Sequence, residues 1–333
     1  MKLVAPMYYS RFCCKGGACK NNCCIGWEID IDSATMAKYS ALGGEMGERL
    51  SHSIDLSGEM PHFCLADGDR CLHLNGENLC DIIINLGEGY LCDICREHPR
   101  YYLTLGDTVY SGVGLSCEAA AELIICDKNS HGYGVIPAEG FSYEECDEDL
   151  HTLVLSWRER LVKGICEARS FAEALSVCCD GALSLQGDID GEKIELSATM
   201  CHEKCGFSAE ITRLFSNLEY MGDDLLPKIR KSLSHMSCGY ITDEDTSREV
   251  KNILLYYIDR YLMGAVCDGD ALGAVFLAML SASVIAMMAS GEGELLPAAV
   301  LYSAEIEYSE DNVEAIKAAA YPELMLTLVE LLK

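Results

Sequence analysis

Positive charge is what this chain has least of. Its 333 residues carry 25 Lys and Arg against 53 Asp and Glu, a formal net charge of −28 and a sequence pI near 4.5. Nucleic acid and anionic membrane surfaces both reward lysine and arginine, so neither is expected as a partner. The charge suits a basic partner such as a lysine-bearing protein. Simple solubility accounts for it equally well.

A leader is also missing from the opening stretch MKLVAPMYYSRF, which has no apolar h-region and no small-residue cleavage site. A membrane span is not expected either. Ala271 to Ser290 carries no charge, but it is rich in Ala, Ser and Gly. Its flanks, Asp268, Asp270, Glu292 and Glu294, show no Lys or Arg bias. It reads as the buried central helix of a helical domain. The E/D-x-G-x-G-x-G strand-to-helix turn that often holds a nucleotide is absent. LGGEMG, residues 42 to 47, has glycines without a buried strand ahead of it and reads as a loop.

What is abundant is cysteine, 20 residues in all. Secreted disulfide scaffolds are short and carry a leader. A long chain without one points to the reducing cytoplasm, where clustered thiols more often bind metal. Residues 1–126 hold twelve of the twenty, and RFCCKGGACKNNCCIGW, residues 11 to 27, holds five. Disulfides, a structural zinc and an iron–sulfur cluster all compete to explain them. Thiolate is soft and selects zinc or iron–sulfur over hard cations. A zinc ribbon shows two CxxC pairs; only Cys92 and Cys95 have that form. Cys23 and Cys24 are adjacent, and their side chains should diverge, serving two irons or one iron and the core. Several dispersed cysteines converging on one centre fit an iron–sulfur site better. The CxxxCxxC of radical enzymes is not present. Gly26 stands where a third cysteine would follow Cys19 and Cys23, and Ser208 does so after the Cys201 and Cys205 pair.

The expected architecture is mainly α. An irregular cysteine-rich module with a short β-hairpin spans 1–126, a linker spans 127–149, and an α-helical domain spans 150–333. Leu150, Leu153, Val154, Trp157, Leu161 and Ile165 share one helix face. Further helices are expected at 170–185, 208–219, 248–266, 271–290, 294–305 and 311–332, with a second linker near 187–193. In the module, Asp32 or Ser33 can cap a helix to about Tyr39, and Asn78 one over 79–86 that stops at Gly87. YYLTL-GD-TVYSG reads as a hairpin turning at Gly106-Asp107. Ser116 can cap a helix to about Ile125 with Cys117 in its first turn, where amides and the helix dipole favour thiolate.

Read in order, the segments FCCKGGACKNNCCIGWEIDIDSATMAKY, CLHLNGENLC, NLGEGYLCDICREHPR and LSCEAAAELII resemble the flagellin lysine-N-methylase family, related to the CxxCxxCC metal-chelating proteins. The resemblance covers about residues 7 to 126. On that match Cys14, Cys19, Cys23, Cys24, Cys71, Cys80, Cys95 and Cys117 are the family cysteines, and Cys13, Cys64 and Cys92 are extras. The resemblance implies a cytoplasmic enzyme with one or two [4Fe–4S] clusters. It would transfer methyl groups from S-adenosylmethionine to lysine ε-amines of a protein, plausibly flagellin. One departure is local: the usual proline after the LSC cysteine is replaced by Glu118. Rival readings are a non-catalytic iron–sulfur or zinc module, and a cluster-dependent peptide-modifying enzyme of a natural-product pathway.

Methyl transfer needs a neutral amine, although free lysine titrates near ~10.4, and in-line alignment at roughly 3 Å. Tyr9 suits a base or a cation–π wall, Asp32 an orienter of the amine or a helix cap, and Glu88 an acceptor of the lysine proton. Trp27 suits a site wall and Arg100 a partner for the donor carboxylate. For each of these five residues, packing, capping or simple solvation is the competing role. His73 and His98 lie near cysteines and are candidate ligands.

Overall fold

The computed structural model describes residues 1–129, 131–194, 204–234, 244–292 and 294–333. The fold is mainly helical with a small mixed sheet. The chain divides into two compact units that do not follow it end to end. The larger comprises Met1–Phe12, Tyr101–Ser116 and Ala120–Lys333; the smaller comprises Cys13–Arg100 with Cys117–Ala119.

The smaller unit is built from short elements around one apolar cluster. Helix α1, Ser33–Ser40, starts at Asp32, whose carboxylate accepts from the Thr35 amide at 2.8 Å, as its sequence signal predicts. Helix α2, Gly44–His52, replaces the loop expected over 42–47. Leu50 and Gly47 face inward from it, and a Cβ on Gly47 would meet the Leu42 carbonyl oxygen at 2.2 Å. The glycine there serves close packing rather than a turn. Helix α3, Asp81–Leu86, has Cys80 at its N-cap position, not Asn78; Asn78 takes φ +58° and accepts from Arg70 at 2.9 Å. Gly87, at φ +87°, ends α3 as expected. Helix α4 is Asp93–Glu97. Ile29, Ile31, Tyr39, Leu50, Phe63, Ile82, Leu91 and Cys92 make the core.

In the larger unit, strand β1 is Lys2–Pro6, β2 Arg100–Leu105, β3 Thr108–Val113 and β4 Tyr133–Pro137, in sheet order β2-β3-β1-β4. The β2–β3 hairpin turns at Gly106, φ +61°, the positive φ that glycine supplies at the first turn position. β1 pairs parallel to β3, Leu3 opposite Val109, and antiparallel to β4, Leu3 opposite Ile136. The stretch 127–149, expected as a linker, therefore contributes a strand.

The helices follow. α5 is Glu118–Ile125, so Cys117 stands just ahead of its first turn rather than inside it. α6, Glu148–Glu167, is capped by Asp147, and α7, Phe171–Asp190, by Ser170. α7 runs into the expected 187–193 linker and stops at left-handed Gly191. α8 is Lys204–Ser216, α9 Leu225–Ser234, α10 Glu244–Tyr261, α11 Ala265–Asp268 and α12 Ala271–Glu292. α13 is Leu295–Ile306, α14 Glu310–Ala318 and α15 Pro322–Leu331. The single helix expected over 311–332 is two, because Pro322 takes the first position of α15 and disfavours helix in the residue before it. α12 passes the length and hydropathy test for a membrane span, but 94% of that window is buried within the protein. Of the Cys201 and Cys205 pair, Cys201 lies outside the described residues and Cys205 falls in α8.

Polar groups are buried here too. His131 and Asp259, with side chains 10% and 3% exposed, stand 2.9 Å apart, and the Tyr133 hydroxyl donates to Asp259 at 2.5 Å. Burial lowers the His131 pKa, but the Asp259 charge more than offsets it, against Arg158 and with help from Asp127, so the net shift is upward. A histidine raised in the folded state adds stability that is complete below its unfolded pKa. That stability fades as pH climbs through the folded value. Wild type is expected to lose urea stability relative to His131→Gln as pH rises from about 6 to 9. Parallel curves for the two proteins would show the pair to be silent.

Candidate metal centre

The thiols of the smaller unit are placed by backbone, not by flexible loops alone. Cys80 stands at the N-cap position of α3, with no capping bond from its side chain. Cys92 stands at the N-cap position of α4, likewise with no capping bond from its side chain. The His73 and Leu74 amides donate to the Cys71 sulfur. Such amides lower the cost of a thiolate and are a recurring setting for bound sulfur.

Backbone pairing brings distant segments together. The Cys71 amide donates to the Cys24 carbonyl at 2.9 Å, and Leu74 bridges to Cys80. Cys80 and Cys95 pack against the core that contains Cys92. Burial and the neighbouring Cys80 and Cys92 push the Cys71 thiol up, against its own amide donors. Cys95 is held far up because its S–H donates to Cys92, whose own pKa falls in consequence. Cys24 and Cys71 are the next charged neighbours of Cys95. The expected extra, Cys92, is thus fully buried among the family cysteines. The sequence signal that could have placed it is its CxxC spacing with Cys95.

Cys23 and Cys24 do not diverge. The Cys24 thiol donates to Cys23, bringing Cys23 down to about 7 and sending Cys24 up. Cys14 and Cys19 sit on a loop with a 3-10 turn at Gly16–Ala18, and the Gly16 amide lies 3.3 Å from the Cys14 sulfur. Burial pushes Cys19 up to about 11, with Cys117 and then Cys14 as its nearest charged influences. Cys13 is exposed.

Among the described residues the cysteines form no disulfides, which removes that explanation of their clustering there. Among the same residues no three His, Cys, Asp or Glu side chains stand arranged to hold a metal ion. The donor set itself, soft thiols with amides aimed at several sulfurs, suits zinc or iron–sulfur and not a hard cation.

The other candidates fare differently. Asp32 bridges two helix starts, accepting from Thr35 and, at 3.0 Å, from the Asp93 amide. Burial works to raise its pKa, but those amides outweigh it and the carboxyl titrates lower than usual. Its oxygens are therefore engaged in capping. Glu88 is exposed in a 3-10 turn, Glu88–Tyr90, just past α3. Tyr9 belongs to the larger unit and packs against Leu3, Ala5 and Val109. Trp27 is half-buried; its indole N–H donates to the Cys23 carbonyl at 2.6 Å, and its ring meets His98 edge-on at 5.7 Å. Arg100 is half-buried at the end of the smaller unit. Burial pushes His98 and His73 down to about 4, so both are neutral imidazoles at neutral pH. The Ser53 hydroxyl lies 2.7 Å from the His73 Nε2, and the His98 Nε2 is buried without a hydrogen-bond partner.

One residue drew notice in the sequence only as the replacement for an expected proline. Glu118, 8% exposed, accepts from the Lys20 amide at 2.8 Å, the Asn21 amide at 3.4 Å and the Lys15 ammonium at 3.1 Å. An isolated glutamate opening a helix looks like an ordinary N-terminal acid, so only its position beside Cys117 hinted at more.

Comparison with known proteins finds partial relatives. The lysine-N-methylases of Salmonella typhimurium and Salmonella choleraesuis are each 28% identical over 134 residues, 38% of this chain and 33% of theirs. The flagellar biosynthetic protein FliU of Salmonella muenchen is 27% identical over 138 residues, 40% of this chain and 82% of that protein. The chain spans about a third of the length of the two methylases it matches. No family model and no solved structure matches it.

Proposed function

We propose that this chain methylates lysine ε-amines of a protein, with flagellin the leading substrate, using S-adenosylmethionine and an iron–sulfur centre held by the N-terminal thiols. The observation that carries the reading is the similarity to proteins named lysine-N-methylase, at 28% identity over 134 residues. The gathering of Cys24, Cys71, Cys80, Cys92 and Cys95 in one small unit supports the metal. The name of the FliU relative supports a flagellar substrate.

An iron–sulfur centre held by these thiols would supply Lewis-acid chemistry toward the donor. The chain's own residues do the rest. Arg100 pairs with the donor carboxylate, and Trp27 walls the site beside the Cys23 carbonyl. The net charge of −28 draws in a lysine-bearing segment. Exposed Glu88 is the candidate to take the amine proton. Asp32 contributes through the helix starts it ties together.

Co-expression with flagellin, followed by mass spectrometry of its lysines, tests the reading. Methylated lysines are expected with the native chain and none with Cys24→Ala. Glu88→Gln is expected to lower turnover by about 10²-fold if Glu88 is the base. Unmodified flagellin in the presence of iron-loaded protein would defeat the proposal and leave a non-catalytic iron–sulfur module.

A further inference from the structure

We propose that the larger unit holds a binding site for a small monocarboxylate, in which Arg158 balances the charge and the Tyr8 and Tyr101 hydroxyls complete the hydrogen bonds. The inference stands apart from the proposed function and uses none of the thiols.

Arg158, on α6, is 3% exposed, and among the described residues its guanidinium meets no carboxylate and its Nε has no acceptor. Its neighbours are aromatic. The guanidinium lies 4.4 Å from the centre of the Tyr133 ring and 4.9 Å from that of Tyr110. Lys317, also buried, shows the ordinary arrangement, with Asp268 at 2.7 Å and Glu314 at 2.9 Å. Taking a cation out of water without an anion costs more free energy than packing on aromatic rings recovers. Asp259, the carboxylate that shares Tyr133 with Arg158, does not fill the role. It is taken up by His131 at 2.9 Å and by the Tyr133 hydroxyl at 2.5 Å, and it forms no ion pair with Arg158.

Two further donors stand in the same condition. The hydroxyls of Tyr8 and Tyr101 are buried without a partner. Tyr8, just past β1, is 4% exposed; burial sends its phenol well above the ordinary range, and Tyr101, Asp259, Tyr256 and Tyr133 are the next groups it feels. Tyr101, on β2, fits because β3 carries glycine at 112, where a Cβ would meet the hydroxyl at 2.2 Å. Tyr133 joins the groups, with its ring against Arg158 and its hydroxyl on Asp259. All of these residues belong to one compact unit. What they lack in common is an acceptor bearing one negative charge. A single unpaired guanidinium balances a monoanion, whereas a phosphate near neutral pH would bring a second charge to face Asp259. A carboxylate offers two coplanar oxygens that match the N–H edge of a guanidinium, with lone pairs left for two phenols.

The test uses isotope-labelled acetate and the full chain in chloride buffer, with NMR to count bound acetate and urea unfolding to read its effect. Carboxylate carried through purification is counted first, by ion chromatography after acid precipitation. The native chain is expected to hold one carboxylate, carried or added. Its urea midpoint should rise with acetate and level off at constant ionic strength. Arg158→Met keeps most of the volume and removes the charge. It should hold no acetate, and its midpoint in chloride should equal or exceed the native one, since no bare cation is left behind. Tyr8→Phe and Tyr101→Phe keep their rings and should each weaken acetate about tenfold. L-Methionine separates two sources of the same group. Displacement of labelled acetate by methionine assigns the site to the carboxylate end of an amino acid, and failure to displace assigns it to a free acid.

A native chain with neither carried nor added carboxylate would overturn the site and leave Arg158 to water. Acetate held as tightly by Arg158→Met would place the binding elsewhere and overturn it too. Inorganic phosphate displacing acetate at a lower concentration than acetate itself requires would overturn the choice of a monocarboxylate. Should circular dichroism show Arg158→Met unfolded, the two phenylalanine variants decide, and undiminished acetate binding in both would sink the proposal.

Discussion

Replacing Glu307 with alanine is expected to cost about 3–5 kcal/mol of folding free energy, the usual penalty for stranding one member of a buried ion pair. The Glu307 side chain is 3% exposed and lies 3.2 Å from Arg260, itself 21% exposed. The hydroxyls of Tyr256, Tyr257 and Tyr261 all donate to the same carboxylate, at 2.8, 3.0 and 2.9 Å. The Arg260 guanidinium also lies over the Tyr101 ring, 4.9 Å from its centre, and donates to the Tyr256 hydroxyl at 2.7 Å. Alanine removes one acceptor and leaves a cation and three hydroxyls without it. For a domain whose whole stability is about 5–15 kcal/mol, that loss is large. Glu307→Gln keeps an acceptor and should cost less. Urea denaturation followed by tryptophan fluorescence or circular dichroism measures both. A loss under about 1 kcal/mol for the alanine variant would mean that water replaces the carboxylate freely.

Phe276→Ala should cost a comparable ~3–5 kcal/mol, by a different route. Phe276 is fully buried on α12, and so are Val275, Leu277, Met279 and Leu280 around it. A helix enclosed on every side has no solvent face toward which a void can collapse, so the cavity term adds to the lost transfer energy. Phe276→Leu, which keeps most of the volume, should cost well under half as much. Near-equal midpoints for wild type and Phe276→Ala would show that the neighbours of α12 close the gap.

Much of the helical part was legible because amphipathic spacing and burial agree. The face from Leu150 to Ile165 supplies Val154, Leu161 and Ile165 to the core. The uncharged run from Ala271 announced a central helix by lacking any polar face at all. α9 escaped notice because its polar residues, Lys228, Arg230, Lys231 and Ser232, dominate a short stretch and leave only Leu225, Ile229 and Leu233 buried. α2 was misread because glycine stands for turns on average, whereas Gly47 is there so that the Leu42 carbonyl can approach. β4 lay hidden in a stretch that looked like linker, since its strand signal is only Tyr133 to Pro137 and its pairing partner is some 130 residues earlier.

For the candidate site, the cysteine string was plain and its spatial sorting was not. Pairwise spacing says nothing of which carbonyl a distant amide will meet, so Cys71 against Cys24 could not be foreseen. α3 starts at Cys80 rather than at the better-looking Asn78, which takes a left-handed φ of +58° and spends its side-chain oxygen on Arg70. Asp32 is the reverse case. Its capping signal was correct, and the second amide, from Asp93, appears only once α4 is folded beside it.

The weaving of β1 between β3 and β4 has a consequence for synthesis of the chain. Residues 2–6 are made before their partners at 108–113 and 133–137, which follow only after the entire Cys13–Arg100 segment has emerged. The first strand must wait as an unpaired edge while the thiols behind it stand exposed to oxygen and stray metals. That interval ends when the hairpin and its antiparallel neighbour zip β1 into place.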